Sequence, residues 1–107
     1  MNYKVEVTAK FKKLAKRLVK KFPSLKSELD NLFDSLETEP KQGKPIGSEC
    51  YKIRLAIASK GKGKSGGARV ITHLHVTKIT IYLLTIYDKS EQADISDKEL
   101  KELLSLL

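Results

Sequence analysis

The chain has 107 residues, 40% of them hydrophobic, a formal net charge of +8 and a single cysteine, Cys50. That length supports one domain with one core, and the composition excludes both a disordered chain and a disulfide scaffold. No run approaches the ~20 apolar residues of a membrane span and the N-terminus lacks a signal-type apolar stretch, so a soluble cytoplasmic protein with no membrane partner is expected.

The charge is segmental. Residues 1–22 carry eight Lys/Arg against Glu6 alone, and residues 41–69 carry eight against Glu49 alone, whereas residues 23–40 and 70–107 are net acidic. Such alternation favours a one-sided basic patch, suited to a nucleic acid or an acidic protein.

Tyr3, Val5 and Val7 alternate with Lys4, Glu6 and Thr8, the period of a short half-buried strand. Thr8 can then cap a helix. Phe11, Leu14, Ala15, Leu18, Val19 and Phe22 recur at helical spacing, and lysines and Arg17 fill the other face until Pro23 ends the run. Ser24 is placed to cap a second helix, striped by Leu25, Leu29, Leu32, Phe33 and Leu36. So short a link makes the pair a helical hairpin on one face of a sheet. Glu37 to Gly47 holds Pro40, Gly43 and Pro45 and reads as a loop.

Cys50 to Ala58 reads as the second strand, with Tyr51, Ile53, Leu55 and Ile57 on one face and Lys52 and Arg54 on the other. Residues 60–67, Lys-Gly-Lys-Gly-Lys-Ser-Gly-Gly, have nothing to pack and read as an irregular connection. Ala68 to Val76 is a third strand and Ile79 to Tyr87 a fourth, apolar on both faces and so central or well covered. Ser96 and Glu99 form a capping-box pair ahead of a final helix striped by Leu100, Leu103, Leu104 and Leu107. The expectation is one α+β domain over residues 1–107, ordered β-α-α-β-β-β-α, with a mainly antiparallel sheet against the N-terminal helical hairpin.

Gly61 to Gly66 matches a bare G-x-G-x-x-G, but a dinucleotide site needs a helix to follow and a strand pattern follows instead. Neither a P-loop nor a kinase signature is completed. The loop reads either as a lysine-solubilised connection or as a cationic finger in which Lys60, Lys62 and Lys64 neutralise a phosphate backbone. Lys52 and Arg54 project together, and Arg69 re-enters the sheet beside two glycines, where its planar fork can meet a phosphate. His73 and His75 share Arg69's strand face; with no obvious third ligand they read as half-exposed sheet histidines, with His73 as a general base the alternative, and neither a metal nor a cofactor is expected. Cys50 reads as a small core residue.

The Tyr51-Lys52-Ile53-Arg54 strand, the Lys60 to Arg69 run and Tyr82-Leu-Leu-Thr-Ile-Tyr-Asp-Lys89 together resemble the RelE/ParE toxin superfamily, the HigB-type branch most closely. The specific motifs lie within residues 50–96; the N-terminal helices match by pattern. The resemblance implies a ribosome-dependent mRNA endoribonuclease of a type II toxin–antitoxin system, with the ribosome and mRNA as partners. It also implies a cognate antitoxin, expected to be a helix-turn-helix repressor. An acidic antitoxin segment would cover Lys60 to Arg69 or displace the Ser96–Leu107 helix.

Carried over by position, Lys52 and Arg54 match basic active-site residues. Arg69 matches the strand arginine on the scissile phosphate, and Lys89 stands where relatives carry an arginine. Lys60, Lys62 and Lys64 match the HigB-type loop. The family's catalytic tyrosine would fall near Ile95, which leaves Tyr87, Lys52 or a loop lysine as candidates for proton transfer. Two other readings stay open: a ParE-like toxin that binds gyrase without cutting nucleic acid, and a catalytically inactive nucleic-acid-binding module.

Overall fold

Alternation at Tyr3, Val5 and Val7 produces a strand, β1 (Lys4–Val7), in the computed structural model of the chain, which describes residues 2–61, 63 and 65–107. Thr8 then turns the chain. Its hydroxyl accepts from the Phe11 N–H at 3.2 Å and donates to the Leu83 carbonyl at 2.9 Å, capping α1 (Ala9–Lys21) and tying it to the sheet. α1 and α2 (Leu25–Thr38) bury Phe11, Leu18, Leu25, Leu29, Leu32 and Leu36 against one face of that sheet. Each such side chain contributes roughly 1.5–3 kcal/mol by leaving water.

The sheet has five strands in the order β1, β5, β4, β3, β2, with β2 (Lys44–Gly47), β3 (Cys50–Leu55), β4 (Ala68–His75) and β5 (Thr80–Asp88). β1 runs parallel to β5, and the other neighbours are antiparallel. The α+β architecture is the expected one, with corrections. β2 lies inside the stretch expected to be a loop. It turns into β3 through Ser48 and Glu49, both left-handed at φ 53° and 58°, which is the two-residue hairpin geometry. Pro45 is tolerated there because β2 is an edge strand.

β3 stops at Leu55, short of the expected Ala58, and Ala58–Lys60 forms a 3-10 turn instead. The cause is on α2. The Glu28 carboxylate accepts from the Ala58 N–H at 2.7 Å, and the Ser24 hydroxyl accepts from the Ser59 N–H at 2.9 Å. Ser24 therefore does not cap α2 through its side chain, as expected, but pins the 3-10 turn.

β5 carries a bulge. Ile71 faces Thr85 while Thr72 faces Leu83, so Leu84 is the extra residue. The bulge reverses the alternation. Ile81, Leu83 and Ile86 join the helix-side core, whereas Tyr82, Leu84 and Tyr87 reach the opposite face. There α3 (Asp97–Ser105), capped by Ser96 accepting from the Glu99 N–H at 3.1 Å, packs Leu100 and Leu103 over Ile71, Leu84 and Tyr87. Among the described residues, no helix is long and apolar enough to cross a membrane.

Candidate functional site

The register of the three inner strands decides which side chains meet. Arg54 lies opposite Arg69 across β3 and β4, and Arg69 lies opposite Tyr87 across β4 and β5. Directly opposed residues share a face at ~4.5–5.5 Å between Cβ atoms. Arg54, Arg69 and Tyr87 thus form one row on the face away from α1 and α2. The adjoining row is Lys44, Lys52, Ile71 and Thr85.

Lys52 reaches out of its row to the Asp94 carboxylate at 3.0 Å. That contact, with the Ile95 N–H adding a second, holds the Asp94 carboxyl below the ordinary range. Arg54 is exposed and lines a cleft of about 530 Å³ together with Gln42, Gly43, Lys44 and Lys52. Gly43 has φ 91°, and a Cβ there would stand 2.4 Å from the Lys52 carbonyl oxygen, so only glycine lets β2's approach lie so close to β3.

Arg69 is 5% exposed. Its guanidinium donates to the Ala68 carbonyl at 3.1 Å and to the Ser65 carbonyl at 3.4 Å, bracing the end of the glycine-rich loop. Tyr87 is equally buried, and its hydroxyl has no hydrogen-bond partner among the described residues. Burial pushes that hydroxyl's pKa up, the Asp94 charge adds to the rise, and Arg69 opposes it. Lys89 starts the segment that returns over this row. Its N–H donates to the Gly67 carbonyl at 3.0 Å, and its ammonium turns along its own chain to the Ala93 carbonyl at 2.5 Å rather than into the row.

The loop lysines separate. Lys62 and Lys64 lie outside the described residues. Lys60 is not part of a loose finger. It ends the 3-10 turn, and its side chain, 9% exposed, pairs with the fully buried Asp88 and donates to Ser90 Oγ at 3.1 Å. Burial pushes the Asp88 carboxyl up, but Lys60 and the Ser90 N–H and hydroxyl outweigh it and hold the group below the usual range. By the alternation after the bulge, this pair lies on the helix side of the sheet, away from Arg69.

Ile95 packs against the core beneath α3, formed by Ile71, Leu84, Tyr87, Leu100 and Leu103 with Cys50. Two neighbours of the cluster escape sequence reasoning. Lys44 belongs to the unforeseen strand β2, and Asp94 sits in a polar segment with no periodicity; the one available signal was an isolated acid close behind the last basic residue, Lys89. Among the described residues no group of three or more His, Cys, Asp or Glu could hold a metal. The arrangement offers guanidinium and ammonium groups on rigid strands beside a protonated phenol, a set suited to charge developing on a phosphate.

The family described as the RelE toxin of the RelE/RelB toxin–antitoxin system matches residues 3–106. The isolated E. coli RelE toxin superposes with a TM-score of 0.62 at 16% identity, covering 98% of this chain and 99% of that one. An E. coli RelE mutant with two arginines changed to alanine, in the free state, also gives 0.62, at 17% identity over 100% of this chain and 99% of that one. The same mutant in complex with an antitoxin RelB peptide gives 0.51 at 18% identity, over 95% and 94%. At these identities the likeness is one of fold.

Proposed function

Because this chain belongs to the RelE toxin family, we propose that it is the toxin of a type II toxin–antitoxin system and cuts mRNA on the ribosome. In the proposed reaction the ribose 2′-oxygen forms a bond to the adjacent phosphorus and the bond from phosphorus to the 5′-oxygen breaks. The products are a 2′,3′-cyclic phosphate and a 5′-hydroxyl end; one proton leaves the 2′-oxygen and one arrives on the 5′-oxygen.

The observation that carries this reading is the row Arg54, Arg69, Tyr87 with Lys52 beside it on one sheet face. Negative charge growing on the phosphoryl oxygens would meet cations already fixed on strands, and such preorganised groups need no rearrangement during the step. Tyr87, whose pKa is raised by burial, keeps its proton at neutral pH and suits donation to the leaving 5′-oxygen better than abstraction from the 2′-oxygen. Its hydroxyl is covered and α3 packs against Tyr87, so α3 and the segment leading into it must shift when RNA enters. Asp94 would leave Lys52 in the same movement, its carboxylate replaced by the phosphate. The ribosome would supply the orientation of the strand.

A cognate antitoxin is part of the proposal. The E. coli relative has been solved with a RelB peptide, and a chain of net charge +8 suits an acidic partner segment. The test is Arg69→Ala in a purified translation system, with folding checked by circular dichroism. A folded variant whose mRNA cleavage falls by about 10²–10³-fold is expected for the loss of one charge-stabilising group. Cleavage at the wild-type rate would remove Arg69 from the site, and blocked supercoiling with intact mRNA would favour the gyrase-directed reading.

A further inference from the structure

At the far end of the same sheet face lies a second cleft, about 390 Å³, that the reaction above does not use. It is lined by Ser48, His73, His75, Lys78, Tyr82, Leu104 and Leu107. Its volume is within the range of small-ligand clefts, roughly 300–1,000 Å³. One wall is aromatic. His73 lies opposite Tyr82 across β4 and β5, and the two rings are near parallel, 23° apart, with centroids 6.5 Å from one another. The other wall is the leucine end of α3.

The two histidines are set differently by their partners. His73 Nδ1 lies 3.0 Å from the Ser48 carbonyl, which can only accept, so Nδ1 carries the proton and Nε2 of the neutral ring is an acceptor. His75 Nδ1 receives the Lys78 backbone N–H at 3.4 Å, so there Nδ1 is the acceptor and Nε2 carries the proton. With these partners the two neutral rings offer one acceptor and one donor, on centroids 6.4 Å apart; Cys50 Sγ, 3.6 Å from His73 Nδ1, and Thr77 Oγ1, 3.2 Å from His75 Nδ1, complete their surroundings. Lys78 adds a cation at the hairpin end. The acid opposite Tyr82 on β1, Glu6, is matched by Lys4 at 2.8 Å and does not cancel it.

We propose that this cleft binds a nucleobase, stacked on the His73–Tyr82 wall, read by His73 and His75, with its phosphate toward Lys78. A planar ring with both a donor and an acceptor on its edge fits the wall and the paired imidazoles. A peptide strand does not fit, because β4 and β5 are interior strands whose backbone groups are already paired with neighbours on both sides. The base can belong to a free nucleotide or to an RNA strand, and the proposal stands apart from the catalytic reading of Arg69.

The test is aromatic NMR of the full chain at pH 8. The titrants are the four nucleoside monophosphates, a short single-stranded RNA and, as the base-free control, ribose 5-phosphate. Saturable upfield shifts of the Tyr82 and His73 ring resonances are expected with a nucleotide or the RNA and not with ribose 5-phosphate. A response to mononucleotides identifies the free source, and a response to RNA alone identifies the strand. Tyr82→Leu should weaken binding by about tenfold or more, the worth of one stacked base. His75→Ala, nearer the hairpin end, gives a second readout if Tyr82→Leu folds poorly. The shifts should persist in Arg69→Ala, which separates this site from the cluster at the other end of the sheet. No shift with any base-bearing titrant, an equal response to ribose 5-phosphate, or binding unchanged in both Tyr82→Leu and His75→Ala would overturn the proposal.

Discussion

The buried pair of Lys60 and Asp88 gives the sharpest test of how the glycine-rich loop is held. Asp88 ends β5 fully buried, and Lys60 ends the 3-10 turn that leads into the loop. The Lys60 ammonium also stands 5.6 Å from the centre of the Phe22 ring. Lys60→Met keeps the aliphatic stem and removes the charge. Among the described residues Asp88 would then retain the Ser90 N–H at 3.0 Å and the Ser90 hydroxyl at 2.9 Å, with its second oxygen already lacking a partner there. Removing one member of a buried pair costs about 3–5 kcal/mol, and the two surviving Ser90 bonds place this case near the lower end.

The expected loss is therefore about 3 kcal/mol, read as a fall in the urea midpoint at unchanged slope. In Tm it corresponds to a drop of roughly 10–20 °C for a chain of this size. Asp88→Asn should cost less, about 1–2 kcal/mol, because the flexible lysine stem can carry its ammonium to water. The double variant should cost less than the sum, with a coupling of about 1 kcal/mol or more. A Lys60→Met protein within about 0.5 kcal/mol of wild type, or strictly additive variants, would mean that Lys60 is the solvated loop lysine its composition suggests.

The pH dependence follows from the same pair: the Asp88 carboxyl is depressed in the folded state, so its contribution is full above the unfolded value of about 3.9 and disappears as pH falls through the lower folded value. Urea titrations should show the gap between wild type and Asp88→Asn constant near neutrality and closing below about pH 4; a gap that widens in acid would reverse the sign of the argument. Asp94→Asn removes the carboxylate from Lys52 but not an element of the core, so stability should move by less than about 1 kcal/mol while single-stranded RNA binds up to several-fold tighter at low salt. Fluorescence anisotropy showing equal or weaker binding would exclude Asp94 as the group that RNA displaces. At Gly67 a Cβ would stand 2.2 Å from the Leu55 carbonyl oxygen; Gly67→Ala should cost about 1–3 kcal/mol and shift the Arg69 end of β4, seen as altered amide resonances there, and a silent variant would refute the close approach.

What the sequence makes legible, and what it hides, turns on register. Period-two and helical patterns locate the strands at Tyr51 and Val70 and the helices at Phe11 and Leu29, because burial on one face writes itself into spacing. The pairing of Arg54 with Arg69 does not follow: a strand running to Ala58 would close the hairpin in another register, and only the early stop at Leu55 sets the two arginines opposite each other. Tyr87 does not follow. Strict alternation from Tyr82 would place it on the helix side, and only the extra residue at Leu84 brings it round to Arg69 and sends Asp88 to Lys60. A bulge in a run where every residue is apolar or Thr leaves no polar mark. β2 hides for a related reason: Ser48 and Glu49 make a left-handed hairpin turn without the Asn-Gly signature, and Pro45 signals a break where an edge strand tolerates it.

The functions of the loop residues divide along the same line. Nothing in the composition marks Lys60, and the carboxylate it meets lies on a strand 28 residues away whose face is set by the bulge. The glycine-rich segment is thus anchored at one end by Lys60 on Asp88 and at the other by Arg69 on the Ser65 and Ala68 carbonyls. Two cations that sequence reasoning assigns to phosphate also hold the loop in place. A substitution at either therefore changes loop geometry as well as charge, so stability and RNA affinity must be measured on the same variants before a loss of cleavage is ascribed to chemistry.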